Sequence, residues 1–234
     1  SHSPPRPTAH LVPIPSQALQ GLGLTQNADS QKAWEMGKLT IRDYYRRTLQ
    51  SDPAYLWNAS LRPPQLVLLS IGGNDFNHQD GYVPSNASFQ AAYLELLQEI
   101  FGAYNDSGRL SGGGGVGVGA GGDGDSSGIS SNGDGRGNSA SRLAVVSICG
   151  QGSPFEAKLD PDNNRCRPCE HVEAAVDLFA QSHPQLSAKY VFVPCDGSVV
   201  SGEGDIGCNG HKNSRGQHEV AAFLEPKLRA IMGW

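Results

Sequence analysis

Three separated polar blocks in this sequence hold residue types that can do chemistry together: Gly21-Leu22-Gly23, Gly72-Gly73-Asn74-Asp75 and Cys208-Asn209-Gly210-His211. The second block directly follows the apolar run Leu66 to Ile71. That puts it at the carboxyl end of a buried strand, the edge where α/β proteins place their ligands. Its glycines let a ligand approach the backbone, and the Asn74 amide has two N–H groups to offer an oxyanion. The same four residues are ordinary turn formers, so a plain strand-to-loop turn fits them equally well. In the third block His211 lies in a polar loop just before a helix, where it is suited to act as general base. The alternative is a solvated loop histidine. His218, inside that helix beside Glu219, reads as a surface or packing residue. The Gly21 block is weaker alone, although the Gly21 N–H could be a second oxyanion donor.

Cys166-Arg-Pro-Cys169 invites a zinc or redox reading, but either needs a second ligand pair or a thioredoxin-like setting that the sequence lacks. No metal and no cofactor are therefore expected. Disulfides suit the five cysteines better. Cys195 is expected to pair with Cys208, stapling the His211 loop, and Cys149 with either Cys166 or Cys169. An odd count leaves one thiol free or paired outside the chain.

The elements that must position these blocks follow from hydrophobic spacing. Residues 65–71, entered through Pro63-Pro64, form a short continuous apolar run, the pattern of a strand buried on both faces. Phe89, Ala92, Tyr93, Leu96, Leu97, Ile100 and Phe101 recur at helical steps behind a Ser85/Asn86 cap. A strand over 142–148, a helix over 170–182 with Val172, Ala175, Val176 and Phe179 on one face, and a strand over 189–194 come next. The last helix is expected to start at Ser214, capped through the Ser214/Gln217 pair, with Val220, Phe223, Leu224, Leu228 and Ile231 inward and Pro226 as a kink. Alternating strands and helices predict a three-layer α/β/α sandwich with a mainly parallel sheet. Residues 107–141 are mostly glycine, serine and aspartate with few large apolar residues, a composition that cannot offset the entropy of ordering. They read as a flexible insertion within a single domain spanning 1–234, or as an interdomain linker.

The formal net charge is -5 at pH 7, and no basic stripe is present that could neutralise a phosphate backbone, so nucleic acid is not an expected partner. No apolar run approaches the roughly 20 residues that cross a bilayer, so no membrane partner is expected either. Residues 1–15 hold five prolines and lack the layout of a signal peptide, so any targeting segment is expected to lie upstream or not to exist. Three N-x-S sequons, at Asn58, Asn86 and Asn105, together with the cysteines, fit an extracellular or secretory-pathway protein.

Taken together, the blocks resemble those of the SGNH hydrolases, and most closely those of carbohydrate esterase family two, the acetylxylan-esterase-like group. Gly21 to Asn27 looks like that group's glycine block, Tyr45 to Leu49 with Trp57 like the segment before its strand, and Ile71 to Phe76 like its G-T-N-D-F. Gly207 to Asn213, with Gly216-Gln217-His218, looks like its histidine block. The resemblance implies a flavodoxin-like sheet and hydrolysis of acetyl esters on a polysaccharide or oligosaccharide. It implies His211 as general base, Gly21 and Asn74 as oxyanion donors, and a monomeric protein.

Three departures stand out. Only 20 residues precede Gly21 and none of them reads G-D-S, so the nucleophile is absent and the domain is expected to lack its first strand. Ser3 and Ser16 are poor substitutes. Cys208 occupies the place of the aspartate that orients the histidine in many SGNH enzymes, which agrees with the Ser-His dyads known in the carbohydrate group. Gly210 and Lys212 replace an aromatic residue and a proline expected beside the histidine. The rival reading is a non-catalytic carbohydrate-binding or interaction protein on a decayed SGNH fold. A lipase-like esterase fits less well, since no extended apolar lid is evident.

Overall fold

The structure, a computed structural model, describes residues 21–28, 39–48, 52–58, 63–76, 83–105, 143–150, 167–208 and 211–234. The insertion at 107–141, Ser3, Ser16, Cys166 and Gly210 lie outside the described residues. In chain order come a short helix α1 (Ile41–Tyr44), strand β1 (Leu66–Leu69), helix α2 (Asn86–Asn105), β2 (Ala144–Gly150), α3 (Arg167–Ser182), β3 (Ser187–Val193) and α4 (Ser214–Met232). One-turn 3-10 helices occupy Gly73–Phe76 and Glu203–Asp205.

The three strands pair in the order β1-β2-β3, all parallel, with Leu66 opposite Ala144 and Ala144 opposite Ser187. Successive side chains of a strand face opposite sides, so the continuous apolar run of β2 serves two cores at once. Val145 packs with Phe89, Tyr93, Leu97, Val172, Val176 and Phe179, from α2 and α3. Its neighbour Val146 packs with Val191, Val193, Val200, Val220 and Leu224, which brings α4 to the other face. The result is helices on both sides of a parallel sheet, the three-layer α/β/α sandwich that the spacing predicts.

Each helix buries the face expected of it. Phe89, Tyr93, Leu96, Leu97, Ile100 and Phe101 of α2 are all buried, as are Val172, Ala175, Val176 and Phe179 of α3. Each large apolar side chain contributes about 1.5–3 kcal/mol on burial. Phe101 and Phe179 stack with ring centroids 5.3 Å apart and lock α2 to α3. Ser85 caps α2, its Oγ accepting from the Ser88 N–H at 3.2 Å.

Two local expectations are corrected. The cap of α4 is Asn213, one residue before Ser214; its Oδ1 accepts from the N–H groups of Arg215 and Gly216, so Ser214 and Gln217 are not a capping box. Asparagine wins because its carbonyl reaches two orphan donors of the first turn while its own backbone stays extended. The helix runs to Met232 across Pro226.

The second correction concerns cysteines. Cys149 pairs with Cys169, one of the two partners expected for it. Cys208 is a free, exposed thiol, so the Cys195–Cys208 staple does not form, and Cys195 is disulfide-bonded elsewhere. The His211 loop is held by hydrogen bonds instead, as described below. The Cys149–Cys169 bridge joins the carboxyl end of β2 to the first turn of α3 over a separation of 20 residues. Replacing both cysteines by serine is expected to lower the unfolding free energy by about 3 kcal/mol, the loss typical of a crosslink closing a loop of this length. The shift in urea midpoint measures it, and an unchanged midpoint would rule the stabilisation out.

Candidate active site

Parallel strands share one carboxyl edge, so the loops leaving β1 and β3 emerge on the same side of the sheet. The first carries Gly72 to Phe76 and the second runs to His211 and Asn213. What fixes the first loop is the buried side chain of Asp75, fully shielded from solvent. Its Oδ2 accepts from the Leu24 N–H at 2.8 Å. Its Oδ1 accepts from the Thr25 N–H at 2.6 Å, the Thr25 hydroxyl at 2.6 Å and the Gln26 N–H at 3.3 Å. The Gln26 side-chain amide returns a bond to the Asp75 carbonyl at 2.8 Å. Burial raises the Asp75 pKa, and the donors from Thr25, Leu24 and Gln26 oppose that rise.

Asn74 joins the same arrangement. Its amide donates to the Leu22 carbonyl at 2.7 Å, which orients the side chain and leaves one of its two N–H groups for a ligand. The sequence reading offered both; the structure commits one to holding the glycine block. Gly23 must be glycine, because a β-carbon there would lie 1.9 Å from the Gln26 carbonyl oxygen and 2.7 Å from Asp75 Oδ2. Gly21 is buried with φ 81°, and its carbonyl accepts from the Ala28 N–H at 2.7 Å. Two blocks some fifty residues apart are thus one hydrogen-bonded unit. Behind it, Phe76 packs edge-on to Phe89 at 5.2 Å and stacks on the buried His171 at 5.9 Å, so α2 and α3 both support the loop. Gly72, at φ 111°, allows the tight approach: a β-carbon there would come within 2.9 Å of the Phe89 ring and 3.3 Å of Pro168.

His211 is exposed, and its position is set by its backbone and neighbours. Its N–H donates to the Cys208 carbonyl at 3.1 Å, its carbonyl accepts from the Gly207 N–H at 2.7 Å, and Ile206 bridges Lys212 in antiparallel fashion. Asn213 extends this frame, its amide donating to the Gly204 carbonyl at 2.7 Å while its Oδ1 caps α4. Underneath lies Asp205, buried. Its carboxylate accepts from the Ser201 N–H at 2.9 Å and from Arg215 Nε at 2.5 Å, and its carbonyl accepts from the Asn213 N–H at 2.9 Å. His218 is exposed on α4. Among the described residues no group of three or more His, Cys, Asp or Glu side chains could hold a metal ion, and no helix is long and apolar enough to cross a membrane.

The sequence singles out Gly21, Asn74 and His211 as candidates but gives no part to Asp75, Thr25, Asp205 or Asn213. Asp75 was in plain view as the fourth residue of its block, and a lone aspartate among turn formers does not reveal which donors it meets.

No protein-family model matches the chain, nor does any curated protein. Solved structures do. The chain is similar to a carbohydrate esterase family 2 enzyme with a carbohydrate binding domain from Myceliophthora fergusii, at TM-score 0.59 and 18% identity over 92% of this chain and 51% of that one. It is also similar to a family two carbohydrate esterase from Cellvibrio japonicus, at 0.55 and 15% over 92% and 46%. A third is the acetyl xylan esterase Est2A from the rumen bacterium Butyrivibrio proteoclasticus, at 0.55 and 9% over 92% and 50%. The chain therefore has the fold of the family two carbohydrate esterases. It spans about half the length of these structures.

Two outcomes test the site's construction. Asp75→Ala leaves the N–H groups of Leu24, Thr25 and Gln26 without their acceptor, and an unsatisfied buried donor costs about 1–3 kcal/mol. A loss of about 3 kcal/mol or more is expected in urea unfolding, and one below about 1 kcal/mol would show that the clasp is not what holds the loop.

The second outcome concerns acid. The Asp205 carboxyl is held below the ordinary carboxylate range by the Ser201 N–H and by Arg215. A depressed folded-state pKa gives stability that is present above the unfolded value, near pH 4, and lost as pH falls through the folded one. Asp205→Asn should melt below the wild type at pH 7 and converge with it below about pH 4. A gap that stays constant down to pH 2.5 contradicts this account.

Proposed function

We propose that this chain carries the oxyanion donors and the general base of a carbohydrate O-acetyl esterase that works by Ser-His acyl transfer, with the serine nucleophile absent from this chain. The observation that carries the reading is the hydrogen-bonded union of the Gly21 block with Asn74 and Asp75 at the sheet edge that the His211 loop shares. The fold likeness to carbohydrate esterases supports it.

In this mechanism a serine hydroxyl attacks the acetyl carbonyl carbon while the His211 imidazole takes the hydroxyl proton. The negative charge that develops on the carbonyl oxygen is met by the Gly21 N–H and by the Asn74 N–H that Leu22 does not use. Collapse of the intermediate expels the sugar alkoxide, which receives the proton back from His211. Water then cleaves the acetyl-enzyme by the same route, with His211 again as base. Holding both donors in place beforehand is where the Asp75 clasp matters, since they need not reorganise as charge develops. Cys208 is a free thiol where other SGNH enzymes have an orienting aspartate, which fits a dyad.

A non-catalytic carbohydrate-binding protein on the same fold is the second reading. It is supported by the similarity to a structure described as a carbohydrate esterase whose active site displays divergent catalytic and non-catalytic binding functions, at TM-score 0.54 and 14% identity over 89% of this chain and 50% of that one.

The 234-residue chain alone should show no His211-dependent hydrolysis of p-nitrophenyl acetate. In a protein that joins it to a G-D-S segment, acetate release from acetylated xylan should fall by about 10² to 10³ in Asn74→Ala. In His211→Ala it should fall by at least about 10³. Turnover by the joined protein that is indifferent to both substitutions rejects the esterase reading.

A further inference from the structure

We propose that the outer edge of β1 is the docking site for a parallel β-strand of a separate polypeptide segment, one that ends in the serine nucleophile and continues as a helix. The serine rests on the esterase reading above; the strand, its direction and its helix rest on the sheet.

β1 has the sequence of an interior strand and the position of an edge. Residues 66–69 are Leu-Val-Leu-Leu, an apolar run without alternation, the composition of a strand covered on both faces. In β2, which has a strand on either side, Ala144 to Cys149 are all buried. In β1 none of the four residues is buried, and Leu68 is 46% exposed. The other end of the sheet is guarded, since β3 carries the exposed Lys189, the kind of charge that discourages edge pairing. β1 carries no charge at all.

The register identifies the groups at that edge. The Ala144 N–H donates to the Gln65 carbonyl at 2.9 Å, with Leu66 opposite Ala144. In a parallel ladder alternate residues turn their N–H and C=O groups to the same neighbour, so Gln65, Val67 and Leu69 face β2 while Leu66 and Leu68 present theirs to the outer side. No described strand pairs there. The side chains of Leu66 and Leu68 point to the α4 face, where Leu66 packs against the core of Val146, Val220 and Leu224.

Direction and handedness select the occupant. A strand added parallel to β1 ends at the carboxyl edge, one strand spacing of about 4.8 Å away. Its end lies beside the Gly72 to Asn74 turn, where acyl transfer needs a hydroxyl close to the Gly21 and Asn74 N–H groups. An antiparallel strand would end at the opposite edge. A second copy of this chain joined edge to edge about a two-fold axis runs antiparallel, and so brings no residue to the candidate site. The crossovers from β1 to β2 and from β2 to β3 put α2 and α3 on one face, the face against which Val67 and Leu69 pack. Crossovers are right-handed, so a connection leaving the docked strand away from β1 lays its helix on the other face, beside α4 and over Leu68.

Amide exchange followed by NMR tests the proposal on the 234-residue chain, alone and with a synthetic peptide of β-branched residues followed by G-D-S and an amphipathic helix. The peptide should slow exchange at Leu66 and Leu68 by at least about tenfold and leave Val67 and Leu69, already held by β2, within about twofold. A nitroxide at the peptide's serine position should broaden the amide resonances of Gly73 and Asn74 and spare Gln65. Leu68→Lys should weaken peptide binding by about tenfold or more without lowering the melting temperature of the chain alone. No binding by the folded chain, or a nitroxide that broadens Gln65 instead, would overturn the docking. So would protection of Leu66 and Leu68 without peptide, which assigns the edge to a second copy if it grows with concentration and to the chain's own residues if it does not. Docking of this kind without ester cleavage in the joined protein keeps the strand site and removes the esterase. Ester cleavage by a joined protein in which Leu66 and Leu68 exchange freely removes the strand site alone.

Discussion

The Asp75 carboxylate is the interaction on which the rest of the site depends. A fully buried acid is costly unless its oxygens are met by donors, and here four donors from Leu24, Thr25 and Gln26 meet them. That requirement pulls two remote segments together with little freedom in how they meet, since carboxylate acceptors and consecutive N–H donors fit in few arrangements. Asn74 and Gly21 owe their relative positions to Asp75, which joins their two segments. Gly23 and Gly72 are then required by close approach, and Phe76 is required as the wedge between α2 and α3.

The same logic is repeated with different residues on the second loop. Asp205 is buried, bonded to Ser201 and Arg215 through its carboxylate and to Asn213 through its carbonyl, and Asn213 in turn caps α4. Each loop at the carboxyl edge is thus pinned by one buried aspartate, while Asn74 beside the first is partly exposed and His211 near the second is exposed. The two aspartates differ in electrostatic character. Asp75 meets only neutral donors and is dominated by desolvation, whereas Asp205 has a guanidinium at hand and is held more acidic.

Much of this fold was legible because its helices and strands obey simple periods. The apolar faces of α2 and α3 were read residue by residue, since each packs against a sheet that hides one stripe of side chains and leaves the rest wet. The two faces of β2 were implicit in a run with no polar alternation. The parts that were not legible are those decided by partners distant in sequence. Asn213 competes with Ser214 for the helix cap, and only the geometry of Gly204 and Ile206 around its amide decides the outcome. The positions of Cys195 and Cys208 suit a staple across the His211 loop, but Asp205 holds that loop through Asn213 and Cys208 stays free. Asn74 looked like a two-handed donor because nothing in its own block announces that Leu22 will take one hand.

The Cys149–Cys169 bridge has a consequence of another kind, for how the protein can change over generations. It fixes the carboxyl end of β2 to the turn that bears Pro168, and Pro168 lies against the backbone of Gly72 at the candidate site. The stretch between the two cysteines therefore begins and ends at welded points. Substitutions at either point would shift the wall behind Asn74, so inherited change is tolerated least at Cys149, Pro168 and Cys169.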